Sequence, residues 1–234
     1  MTQSNADYIP NIGNVTGSDS VAIGGLVIRN DVRSDANALI DNADVEAGGN
    51  VVVSALSNAE IAATILSQVS SSGGSAFGTG TSLAINATIA TNLVQSDTSA
   101  KITNSEISAG TTSIGNISVA ADNTSGIDAT ILSSTSTGDT GVGVTIAFNT
   151  IGWQSQNVLF EAIDALIGGI IGTEDPARVV AAIEDSTIDA AGSLSVTADN
   201  DIGLNATVSN AATSEASALF GATGMSASAV LASN

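Results

Sequence analysis

The chain repeats itself three times and begins a fourth copy. A ten-residue apolar segment ending in Asn recurs at 21–30, 83–92, 140–149 and 225–234. A second phrase, Ile, then Asn or Asp two places on, then Val or Ile, then Ala, recurs at 40–47, 102–109 and 183–190. Self-similarity at a fixed period marks an architecture of stacked units, each too small to bury a core alone. The terminal Asn residues are spaced 62, 57 and 85 apart, and removing an extra stretch near 153–176 returns the last interval to about 60. Repeats 1 and 3 align at a constant offset of 143, which matches Ile40 with Ile183, Val53 with Val196 and Phe77 with Phe220. Repeat 2 follows after a four-residue insertion near Thr111. We read one rod, residues 1–234, with repeats at about 21–82, 83–139 and 140–224 and a partial fourth at 225–234.

Within a repeat the periodicity is two. Leu194 to Ala198, Leu204 to Val208, Ile127 to Ile131 and Val142 to Ile146 alternate apolar with small or polar residues, the pattern of half-buried strands. Turn chemistry separates them at Gly48-Gly49-Asn50, Ser72-Gly73-Gly74, Gly138-Asp139 and Ala191-Gly192. Strands without helices between them exclude a βαβ fold. The expectation is an all-β chain, a parallel β-solenoid (β-helix) with two or three coils per repeat. A string of small antiparallel sandwiches is the architectural rival. The exception is 153–176 in the third repeat. Apolar residues at 158, 159, 162, 163, 166 and 167 have helical spacing and Gly168-Gly169 follows, so a short helical insertion is expected there.

Composition narrows the chemistry. The chain has 23 Asp and Glu against 4 Lys and Arg, a net charge of −19, and neither His nor Cys. Triads and thiol nucleophiles are therefore excluded, as are thiolate metal sites. So acidic a surface opposes nucleic acid and anionic lipid. No apolar run is long enough for a membrane span. Carboxylate-pair chemistry on a β-helix remains formally open, but the acidic residues recur with the repeat instead of forming one cluster. We expect no enzyme. Asp41, Asp44 and Glu46, with Glu184, Asp185 and Asp189, are candidate oxygen ligands for calcium, or else a solvated acidic face. No other cofactor is implied. The recurrent Asn30, Asn92, Asn149 and Asn234 are expected to form a hydrogen-bonded ladder or to take left-handed turn positions. Asn14, Asn86, Asn116, Asn123 and Asn205 fit the Asn-x-Ser/Thr acceptor pattern, which such a composition produces by chance.

The stretches 179–198 and 152–167 resemble the β-strand repeat regions of giant bacterial surface and secreted adhesin-like proteins, including leukotoxin-like repeats. The resemblance extends from about Val15 onward, and the family's insertion after its Asn-ending strand corresponds to Trp153 to Pro176. It implies an extracellular or cell-surface structural rod with no catalytic residues. Its partners would be flanking repeats of the same chain, with self-association into fibres or contact with surface glycans. The first residues, Met1 to Asp7, lack the basic and apolar regions of a signal peptide. We expect the chain to be a segment of something longer, with export signals elsewhere.

Overall fold

The computed structural model describes residues 19–72, 80–152, 165, 177–215 and 223–233. The expected helical insertion at 153–176 lies outside the described residues, as does Asn234. Fourteen strands form four sheets. Sheet A contains β1 (Ser20–Asp41), β5 (Ser82–Thr103), β9 (Thr140–Ile151) and β14 (Met225–Ser233) in that order, with β10 (Val179–Glu184) also on β5. Sheet B contains β2 (Asp44–Ala47), β6 (Glu106–Ala109) and β11 (Thr187–Ala190). Sheet C contains β3 (Val51–Ser57), β7 (Ile117–Asn123) and β12 (Leu194–Asn200). Sheet D contains β4 (Glu60–Ser71), β8 (Gly126–Thr137) and β13 (Gly203–Ser214).

Every strand pair among the described residues is parallel and joins equivalent positions of successive repeats. Val51 pairs with Ile117, Val45 with Ile107 and Ile61 with Ile127. Antiparallel sandwiches are thereby excluded. The chain visits each sheet once per repeat, not two or three times as expected. The reason is strand length. β1 and β5 each run 22 residues, with no Gly-rich break to divide them, so one circuit consumes the whole period.

The register also locates the irregularities. β2 and β6 pair at an offset of 62 (Val45↔Ile107), while β3 and β7 pair at 66 (Val51↔Ile117). The four extra residues fall between Gly110 and Asn116. Gly110 has φ of 88°, and a Cβ there would lie 2.5 Å from the Gly115 nitrogen, so only Gly fits. The larger irregularity interrupts the third repeat of sheet A. β9 pairs with β5 up to Val94↔Ile151, and β10 resumes at Thr98↔Val179. The two ends meet. A Cβ on Gly152 (φ 72°) would lie 2.5 Å from the Ala177 nitrogen. Gly152 N–H donates to the Val94 carbonyl at 2.8 Å, and Thr98 N–H donates to that of Arg178 at 2.8 Å. The Arg178 guanidinium closes on Asp97 at 2.9 Å.

The largest apolar cluster unites Ala100 and Ile102 of sheet A, Ile107 and Ala109 of sheet B, and Val53 and Val119 of sheet C. Val94 of sheet A packs with Ile61 and Ile127 of sheet D. The first half of sheet A reverses the expected polarity. On β5 the buried, core-side positions include Ser82, Asn86, Thr88 and Asn92, and the outward positions include Leu83, Ile85 and Ile89. Polar side chains are tolerated inside because they bond to one another, as buried polar groups must.

Candidate functional site

The recurring Asn positions come together inside sheet A. Asn30 Nδ2 donates to Asn92 Oδ1 at 2.7 Å, and Asn92 Nδ2 donates to Asn149 Oδ1 at 2.7 Å. In-register pairing stacks these residues (Asn30↔Asn92, Asn92↔Asn149), and parallel strands about 4.8 Å apart suit amide-to-amide bonding along the stack. Asn92 and Asn149 are buried. None of the three has positive φ; that role falls to Asn42, Asn104 and Asp185, at 49°, 48° and 49°. These occupy one place at the turn from sheet A to sheet B, where short polar side chains tolerate the left-handed region. Their signal was in the sequence, as the recurring Asn/Asp third residue of the second phrase.

A second buried amide was missed. Asn86 Oδ1 accepts from Ser67 Oγ at 2.9 Å, and its Nδ2 donates to Ser133 Oγ and to the Ser134 carbonyl, each at 3.1 Å. It ties sheet A to sheet D. Gly24 and Gly143 stand at its register in the neighbouring repeats. In the third repeat the amide comes from the other wall: a Cβ on Gly143 would lie 2.7 Å from Asn210 Oδ1. Asn123 forms a third linkage, donating to Asn200 Oδ1 at 3.0 Å and accepting from the hydroxyl of Ser125. Asn86 and Asn123 are fully buried, so the folded chain hides both as sugar acceptors.

The six acidic candidates are exposed and divided. Asp41, Asp44 and Glu46 lie in repeat 1, and Glu184, Asp185 and Asp189 in repeat 3. Repeat 2 stands between them. Asp41 and Glu184 flank Thr103, and Glu46 and Asp189 flank Ser108. Carboxylates two strands apart are about 9.6 Å distant at the backbone, beyond a shared ion's 2.3–2.6 Å ligand distances. Asp185 serves the turn. Among the described residues, no three acidic side chains gather as a metal-holding group.

Asp41 instead accepts from Thr103 Oγ1 at 2.6 Å and Asn104 Nδ2 at 3.2 Å. These bonds, Thr103's first, hold its carboxyl below the usual range. Asp19 is lowered likewise by the backbone N–H and then the hydroxyl of Thr81. At Asp31 burial pushes upward, but hydrogen bonds from Arg33 and Arg29 and their charges together outweigh it, and the carboxyl is lowered.

Comparison with known protein families, characterised proteins and solved structures returns no match for this chain. No helix among the described residues is long and apolar enough to cross a membrane.

Proposed function

We propose that the four sheets are flanks of a single parallel β-solenoid, one coil per repeat, and that the chain is a structural rod segment of a large bacterial extracellular or cell-surface protein. The observation that carries this reading is a contrast at equivalent positions. Ile117 and Val119 are 0% exposed, whereas their partners in the last full repeat, Leu194 and Val196, are 50% and 43% exposed. A further coil in the same register would bury them as β7's are buried. Stability then accumulates with each unit added. The acidic exterior keeps a long rod dissolved, and the role is mechanical: to extend or present an adhesive or matrix-forming element. The proposal assigns no catalytic step.

Two measurements test it. Tandem fusions of the chain should scatter X-rays as progressively longer stiff particles and melt at rising temperatures. Scattering from two tethered, independently tumbling bodies would sink the rod. Antibody against the chain should label intact producing cells; labelling only after lysis would sink the surface assignment. Millimolar calcium is expected to leave the melting temperature unchanged. A strong rise would restore the calcium-dependent reading.

A further inference from the structure

We propose that the outward face of the first half of sheet A pairs two copies of the chain side by side. This rests on the rod reading, to which it adds a partner. The stretches 20–28, 82–96, 140–151 and 225–233 carry no charged residue, in a chain with 23 acidic and 4 basic ones. The alternation of these strands sends polar residues inward and aliphatic residues out. Ile23 is 74% exposed, Val21 and Val27 59% each, and Met225 66%. Between them run Ile85, Ile89 and Ile146, partly exposed. An aliphatic sheet face normally lies against another layer.

Four strands about 4.8 Å apart and ten residues long span about 600 Å². That is the upper limit of what a monomer ordinarily leaves open and somewhat below the roughly 800 Å² per partner of a stable complex. Charge selects the occupant. The other flanks carry the net charge of −19, so two copies repel except where uncharged faces meet. A basic partner would be drawn to the acidic flanks instead. The same face on a second copy presents matching aliphatic rows and packs as an aligned sheet pair about 10 Å apart. Each added repeat widens the face, so the contact strengthens with rod length.

The test is sedimentation velocity on the full chain at high micromolar concentration, with salt to screen the acidic flanks. A reversible monomer–dimer equilibrium is expected. Ile23→Glu with Val27→Glu should weaken dimerisation at least tenfold while the strand signal in circular dichroism persists. Val52→Glu with Leu56→Glu adds the same charge on sheet C, where these side chains are 66% and 65% exposed, and should leave the dimer intact. A wild type that stays monomeric overturns the proposal, including the case in which the chain's own residues cover the face. So does equal loss in both variants. Rod-like scattering from a monomeric tandem would sink the pairing while leaving the rod standing.

Discussion

Asn92 bonds on both sides, receiving from Asn30 and giving to Asn149. Its removal would leave a donor and an acceptor unpaired inside sheet A. A net hydrogen bond is worth about 1 kcal/mol, but a buried unpaired group costs about 1–3. Asn92→Ala should therefore cost about 3 kcal/mol in urea unfolding, and Asn30→Ala, at the half-buried end, about 1. Equal costs would mean that the ladder carries no cooperative weight. The acid response belongs to the residue scale too. Asp41, Asp19 and Asp31 are lowered in the folded state. Folding therefore gains from their ionised forms above the unfolded value near 3.9, and the gain is lost as pH falls through the lower folded values. The urea midpoint should hold from neutrality to about pH 5 and decline below about pH 4. Thr103→Val, which removes the leading donor to Asp41, should flatten that decline; an unaltered slope would refute the assignment. The Asn ladder was legible because its Asn recurs at the end of a recurring segment. Asn86 was not, because Gly24 and Gly143 replace it in the neighbouring repeats and no column of like residues announces it.

Among the elements, β6 shows how charge is spaced along a stack. Thr103 and Ser108 separate the carboxylates of repeats 1 and 3 in two rows, but Glu106 pairs directly with Asp44. Like charges side by side on neighbouring strands oppose pairing by a few tenths of a kcal/mol. Glu106→Thr should stabilise the chain by about 0.5 kcal/mol, with the gain shrinking in high salt. No gain at low salt would show that solvent already screens the pair. The element boundaries followed the sequence where Gly marked them, as between β2 and β3. They escaped it in β1 and β5, whose continuous 22 residues contain no turn residues in the middle. The polarity of sheet A escaped for a related reason. Alternation shows which residues share a face, but not which face meets the core when serines and asparagines inside can satisfy one another.

Across the whole molecule, strand pairs join residues 57 or more positions apart, the shortest being Leu83 with Thr140. Such non-local pairing makes folding slow, because loop closure precedes its reward. The repeat period made this topology legible, since parallel in-register stacking is the simplest way for like segments to meet. The meeting of Gly152 with Ala177 has another consequence. Between Val94 and Thr98 the continuous strand β5 spends Gln95, Ser96 and Asp97. Between their partners Ile151 and Val179, Gly152, Ala177 and Arg178 would take the same three places if 153–176 were spliced out. Arg178 already faces Asp97 as a register partner would. Excision of 153–176 should thus leave a chain that folds, with a melting temperature within a few degrees of the parent. Failure to fold would mean that the segment supports the stack. The junction is a splice point, at which the lineage can exchange one segment for another without renegotiating the rod, as a socket accepts different tools.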